Sequence, residues 1–245
     1  MQVSIITPLW NGAATIRACL DSVADQGIDG VEHLVIDNRS TDDGPAIAAQ
    51  AGARLLSCPH RQGAAAARNV GLAAARGRWV AFLDADDRFL PGKLARQIAA
   101  MQARELAFSW TSYRVARPGR PPRDQITPAT ATLPDLLSKR IVIGCSTVML
   151  DRAALGAHRF DESLALAEDF ALWQVLSRDC ARRGLGIGAL PEVLTEYRAG
   201  TGISAGKLRA AKGHWTALRS LGLPRPRAAR AMADYIRHAL RDRLP

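Results

Sequence analysis

Lysine is almost missing from this sequence: of 33 basic residues only Lys93, Lys139, Lys207 and Lys212 are lysines, and the rest are arginine. Alanine is abundant as well, so the composition reads as a coding bias and charge alone carries little functional weight. Aromatic residues make up 5% of the chain and are not interleaved with basic ones, which removes the stacking platform of a single-strand nucleic-acid binder. Cysteine occurs four times, at positions 19, 58, 145 and 180, with no C-x-x-C pair and no histidine at ligand spacing. A disulfide scaffold is excluded and reduced structural thiols are expected. No run of 18 apolar residues occurs, and the N-terminus starts on a strand-like segment instead of a basic region followed by an apolar one. Neither a spanning helix nor a signal peptide is expected, so the expected location is cytoplasmic, with contact at the inner face of the membrane as its one extension. No Ser-His-Asp or Cys-His arrangement suggests an enzyme nucleophile.

What is present is a 245-residue chain, 48% hydrophobic and 23% charged, which excludes a disordered protein and fits one large globular domain. The formal net charge is +10, and it is not evenly spread. Residues 207–245 hold ten basic side chains against Asp234 and Asp242, so the first 206 residues are nearly neutral.

Along the first 110 residues, apolar strand-like runs at 3–7, 33–37, 54–56 and 79–83 alternate with helical patterns at 14–23, 45–51 and 64–76. Fully apolar strands separated by helices predict a mostly parallel sheet covered on both faces. The second half is less regular, with helices predicted at 91–104 and 168–179, strands at 106–113 and 146–150, and an extended piece at 192–197. Residues 117–128, rich in proline and arginine, read as an exposed mobile loop, and glycines 200, 202 and 206 loosen the chain before a helical C-terminus.

In open parallel sheets, ligands bind outside the carboxyl ends of the strands. Here those ends carry Thr7-Pro8-Leu9-Trp10-Asn11, Asp37-Asn38-Arg39-Ser40-Thr41-Asp42, Cys58-Pro59-His60 and Asp84-Ala85-Asp86-Asp87. Three carboxylates in four residues repel unless a cation sits among them, and Mg²⁺ or Mn²⁺ suits so short an acidic turn; a solvated turn is the plain alternative. Ser40 and Asp42 read as a turn and helix cap, whereas Asp37 belongs to the strand end, where it can accept from a base or a ribose. Arg68 can reach a phosphate or pair with Asp84 or Asp86. Glu168-Asp169 opens a helix, where capping competes with a role as general base.

These segments, in this order, resemble a family 2 glycosyltransferase of GT-A fold: Val3 to Pro8 with Asn11, Val35 to Asp42, Gly63 to Leu72, Ala81 to Asp87, Ser146 to Met149, Phe160 to Glu162, Glu168 to Trp173 and Tyr197-Arg198. The likeness spans about residues 2–200. It implies a GT-A domain over 1–206 followed by a basic helical extension over 207–245. It implies an inverting transfer from a nucleoside-diphosphate sugar, a UDP-sugar being the favoured donor, to a saccharide or lipid-linked acceptor in polysaccharide or glycolipid synthesis. Thr7, Pro8, Asn11 and Asp37 would line the nucleoside pocket, Arg68 and Arg198 would meet the diphosphate, and Asp84 and Asp86 would form the D-x-D motif. Asp86 or Asp87 would hold the metal, Asp169 would be the base and Glu168 would shape the acceptor side. A nucleotide-sugar-binding module without independent activity is the alternative. Asn38-Arg39 stands where many relatives have Asp-Gly, and the loop after Arg198 lacks the histidine that relatives often place there. Met232, Ile236, Ala239 and Leu240 share one helical face and the arginines largely the others, either a helix packed on the body, which is favoured, or one resting on anionic lipid.

Overall fold

The computed structural model describes residues 2–59, 63–129, 133–137, 141–199 and 207–241. His60, the glycine-bearing stretch at 200–206 and the side chains of Ala239 and Leu240 lie outside the described residues. The first half alternates as its periodicity predicts: β1 (Val3–Leu9), α1 (Ile16–Ala24), β2 (Val31–Asp37), α2 (Gly44–Gln50), β3 (Arg54–Ser57), α3 (Gly63–Ala74) and β4 (Trp79–Phe82). Then come β5 (Arg88–Phe89), α4 (Lys93–Ala103), β6 (Leu106–Arg117), β7 (Arg120–Gln125), α5 (Leu133–Leu137) and β8 (Met149–Asp151). The chain continues through α6 (Arg152–Leu155), α7 (Glu168–Arg182), β9 (Gly186–Arg198), α8 (Lys207–Ser220) and α9 (Arg225–Arg241).

The described strands form one nine-stranded sheet in the order β3-β2-β1-β4-β8-β6-β9-β5, with β7 paired to β6. The four strands of the strand-helix repeat are parallel to one another, and beyond β4 the sheet is mixed, because β8 runs antiparallel to both neighbours. Strand side chains alternate between the two faces. Ile6, Leu34, Val80 and Phe82 therefore pack on one side with α3 and α7, and Ile5, Leu9, Val35 and Ala81 on the other with α1, α2 and α4. Gly71 lets α3 lie directly on β1, since a Cβ there would collide with Ile6.

Two expectations change. Residues 117–128 are not a loop: β7 pairs antiparallel with β6 across the Arg117–Arg120 turn. Pro121 and Pro122 are compatible with this because β7 is an edge strand, every residue of which is exposed. The predicted strand at 146–150 starts only at Met149, because Cys145–Thr147 forms a 3-10 turn, and that turn brings Ser146 against the segment after β4.

The C-terminal helices are docked rather than detached. Ala217, Leu218, Leu223, Ala228 and Ala231 form a cluster with Leu164, Phe170 and Ala171 at the start of α7, and His214 lies between the rings of Phe170 and Tyr235 at 4.6 and 4.7 Å. On α9 the packed residues are Ala228, Ala231 and Met232, while Ile236, expected on the packed face, is 47% exposed.

At the amino ends of the parallel strands, Glu32 Oε1 accepts from Ser4 Oγ at 2.5 Å and from the Arg76 N–H at 2.6 Å, and Oε2 faces Arg54 at 3.4 Å. Burial disfavours the charge, but these donors outweigh it and hold the carboxyl below the usual glutamate range. A lowered folded-state value means stability that is present above the unfolded-state value and lost as pH falls through the folded one. Glu32→Gln should therefore lower Tm at neutral pH and flatten its fall in acid, read by thermal melts across pH. An unchanged acid limb would remove Glu32 as its source.

Candidate active site

All the parallel strands end on one edge of the sheet, where Leu9 stands beside Asp37 and Asp37 beside Ser57. The loops after β1 and β2 are tied together there. Asn11, in left-handed backbone at φ 49°, accepts at Oδ1 from the Thr41 N–H at 2.8 Å, and its own N–H donates to Ser40 Oγ at 3.0 Å. Asp42 accepts from the Ala13 and Gly44 amides at 2.7 and 3.0 Å, and Asp37 Oδ1 from the Ser40 amide at 2.9 Å. Asn11 is thus a fastener between the two loops.

Thr7 is corrected outright as a side-chain contact. Its hydroxyl is fully buried, 2.8 Å from His33 Nε2, and burial pushes the His33 imidazole down to about 4 and keeps it neutral. Alternation explains this, because Thr7 shares the face of Ile5 and Leu9 and points into the helix layer. Pro8 is half-buried, and Trp10, which sequence reasoning passed over, is 41% exposed at the same strand end.

The second group is built around a buried arginine. Arg68 is 4% exposed. Its Nη2 donates to Asp84 Oδ1 at 2.7 Å and its Nη1 to Glu168 Oε1 at 2.8 Å, while its plane lies 5.4 Å from the Phe160 ring. One guanidinium therefore joins the acidic turn after β4 to the first turn of α7. Glu168 is engaged here rather than on an acceptor, and Arg68 is enclosed rather than open to a diphosphate.

Asp87 turns inward. It is 2% exposed, accepts from Ser146 Oγ at 2.5 Å and from the Arg198 N–H at 2.9 Å, and burial together with the Asp84 charge raises its carboxyl well above the usual range. It locks three segments together and is not placed to ligate a metal. Ser146 also takes the Asp84 N–H at 3.0 Å, a role that nothing in its sequence context signalled. Asp84 and Asp86 are half-buried, and Arg198, whose N–H meets Asp87, has its side chain exposed at the end of β9. Among the described residues, no group of three His, Cys, Asp or Glu side chains forms a metal cluster, and all four cysteines are buried free thiols.

Ala167, at φ 63°, turns the chain into α7 and sets Glu168 and Asp169 in its first turn. Asp169 is half-buried, and its Oδ1 accepts from the Phe170 N–H at 2.6 Å. Beside it opens a cavity of about 50 Å³, walled by Leu136, Ile141, Val142 and Ile143 on one side and by α7 on the other. The edge thus holds two interlocked polar loops after β1 and β2, an acidic turn, and a carboxylate next to an apolar hollow. No helix among the described residues is long and apolar enough to cross a membrane.

Residues 4–156 match the profile of Glycosyl transferase family 2. The chain is 34% identical to the putative teichuronic acid biosynthesis glycosyltransferase TuaG of Bacillus subtilis, over 99% of this chain and 97% of that one. It is 33% identical to the UDP-Glc:alpha-D-GlcNAc-diphosphoundecaprenol beta-1,3-glucosyltransferase WfgD of Escherichia coli, over 88% and 85%. Its fold is that of S. aureus TarS 1-349 in complex with UDP-GlcNAc, with a TM-score of 0.71 at 20% identity over 96% of this chain and 72% of that one. The mannosyltransferase PcManGT of Pyrobaculum calidifontis, in complex with GDP-Man and Mn²⁺, superposes with a TM-score of 0.66 at 20% identity over 98% and 75%. Strand order, the bridged acidic turn and these likenesses agree: the chain belongs to glycosyl transferase family 2 and is a glycosyltransferase.

Proposed function

We propose that this protein moves a sugar, with inversion, from a nucleoside-diphosphate sugar to a hydroxyl of a lipid-linked saccharide, in the synthesis of a cell-envelope polysaccharide or glycolipid. The observation that carries this reading is the Arg68 bridge, which draws the acidic turn and the α7 carboxylates into one cluster at the ligand edge of the sheet. The relatives' names supply the donor and acceptor classes: UDP-Glc and a saccharide on diphosphoundecaprenol for WfgD, teichuronic acid for TuaG. In this reading Pro8, Trp10 and Asp37 receive the nucleoside, the Thr7 and Asn11 backbone shapes that pocket, and Asp84 faces the ribose and diphosphate. The exposed Arg198 guanidinium meets the diphosphate.

The donor set fits a divalent cation of the hard-oxygen kind. In this reading Asp86, half-buried in the acidic turn, holds it, with Asp84 giving one oxygen to Arg68 and Asp87 enclosed; a cation held by one or two carboxylates completes its shell with phosphate oxygens and water. Bound there, a divalent cation supplies neutralisation of the charge on the departing diphosphate. Asp169 takes the proton of the attacking hydroxyl as the new C–O bond forms, and the apolar hollow beside it keeps competing water out.

The test is a set of thermal melts with nucleoside diphosphates and their sugars, with and without Mn²⁺, followed by mass spectrometry of products on a lipid-diphosphate saccharide. A ligand at about 100 times its Kd stabilises by about 2.7 kcal/mol. Asp86→Ala should lose the Mn²⁺-dependent part of that shift and keep the metal-independent part. Stabilisation by no nucleotide at all would count against the donor reading.

The exposed face of α9 carries Arg227, Arg230 and Arg237 beside Ile236, which is 47% exposed, a surface suited to anionic lipid where the acceptor resides. Deleting 207–245 would strip Phe170 of its cover, so charge reversal is the cleaner test. Arg230→Glu with Arg237→Glu should halve pelleting with anionic liposomes or do more; equal pelleting removes the contact.

A further inference from the structure

Asn69 follows Arg68 on α3, and its carboxamide grips a segment far away in sequence. Its Oδ1 accepts from the Phe160 N–H at 2.9 Å, and its Nδ2 donates to the Phe160 carbonyl at 2.9 Å and to Glu162 Oε1 at 2.8 Å. Donor meets acceptor and acceptor meets donor, so the side chain takes both backbone groups of one residue as a paired strand would. Among the described residues, every hydrogen bond between α3 and the connection from α6 to α7 ends on Asn69. The contacts that Ser163 and Leu164 make with Asp161 stay within the connection.

What Asn69 holds in place is the Phe160 ring. Phe160 is 2% exposed, its ring centroid lies 5.4 Å from that of Phe82 and 5.8 Å from that of Trp173 on α7, and the Arg68 guanidinium lies 5.4 Å over its face. Arg68 Nε has no hydrogen-bond partner among the described residues, and the negative face of the ring adds to the attraction that Asp84 and Glu168 supply. One ring therefore touches both the bridging arginine and the helix that carries Asp169. The acidic turn has an anchor of its own, because the Asp84 N–H donates to Ser146 Oγ at 3.0 Å. A displaced Phe160 is thus felt on the α7 side.

We propose that Asn69 is a positioning residue for the transfer: by clamping both backbone groups of Phe160 it fixes the ring against Arg68 and Trp173, and so sets where the first turn of α7 presents Asp169. The assignment rests on the reading of the Arg68 bridge as the device that assembles the site and of Asp169 as the base. A plain anchor for the connection would govern stability alone. A positioning residue governs the rate as well.

Asn69→Ala, assayed well below its Tm, should lower kcat by about 10²-fold, the order expected when reacting groups are misplaced by about 1 Å, and leave the donor KM where it was. Fluorine NMR on the full chain labelled with 4-fluorophenylalanine gives a readout without turnover: the chain has five phenylalanines, and Phe160→Leu identifies the line. That line should shift or broaden in Asn69→Ala. Asn69→Asp keeps the size of the side chain and changes only its protons. The carboxylate still accepts the Phe160 N–H, but it has nothing to donate to the Phe160 carbonyl and it faces Glu162, whose charge raises the pKa of the new carboxyl. Protonation restores one donor. The ratio of variant to wild-type kcat, in which the protonation of Asp169 cancels, should therefore rise as pH falls, and the Phe160 line should move back toward its wild-type position over the same range. A Phe160 line that ignores Asn69→Ala, a wild-type kcat once the line has moved, or a kcat ratio flat with pH overturns the proposal. Failure of the functional reading looks different: the line follows Asn69 while Arg68→Met transfers sugar at the wild-type rate.

Discussion

Asp169→Asn is expected to lower kcat by about 10²- to 10⁴-fold, the contribution of one positioned general base, while nucleotide binding stays at the wild-type level. The substitution is isosteric, and its Oδ1 still accepts the Phe170 N–H that Asp169 accepts at 2.6 Å. One negative charge leaves the first turn of α7, worth about 0.3–1 kcal/mol against the macrodipole, but Glu168 remains there. The variant should therefore melt within a few degrees of the wild type and show the same Mn²⁺-dependent shift with donor. Glu168→Gln makes the contrast. It removes the charge that faces Arg68 while leaving an oxygen to accept its N–H, so stability should fall more and turnover less. Steady-state transfer and melts on the two variants check both halves. Asp169→Asn turning over at the wild-type rate would take Asp169 out of the reaction.

Much of this architecture can be read from strand ends. The apolar runs of β1 to β4 and the helices between them have one solution, a parallel half-sheet, and topology then brings Asp37 and Asp84 to the same edge. What could not be read is which polar groups are consumed by one another. The Arg68–Asp84 pair was one of the contacts the sequence offered, but Arg68 and Glu168 are a hundred residues apart, and no local pattern says that one guanidinium spans both carboxylates. Ser146 and Asp87 meet across 59 residues for the same reason. Thr7 was within reach of the period-2 rule, because a residue between Ile5 and Leu9 on one face points where they point. The β6–β7 hairpin was hidden by composition. Proline and arginine signal a loop, yet β6 presents an open edge to the segment after its turn, and backbone pairing prevails over propensity.

Arg68→Met should be the most damaging substitution in the site, lowering stability and activity together. The side chain is 5% exposed, Glu168 15% and Asp84 32%. Removing one member of a buried ion pair costs about 3–5 kcal/mol, because a charge is left without compensation; the solvent reaching Asp84 places this case toward the lower end. Methionine fills the volume, so packing loss is a minor part. Two carboxylates then face each other with nothing between them, and the acidic turn and the start of α7 separate. Arg68→Lys tests geometry rather than charge. A single ammonium cannot reproduce the two-pronged contact, so it should recover stability in part and activity hardly at all. The double variant Arg68→Met with Glu168→Gln separates the two effects. With the second charge removed, Tm should rise above that of Arg68→Met alone, a positive coupling in the double-mutant cycle, while transfer stays low because nothing ties Asp169's helix to the donor side. If Arg68→Met melts with the wild type, the bridge contributes nothing to holding these segments together.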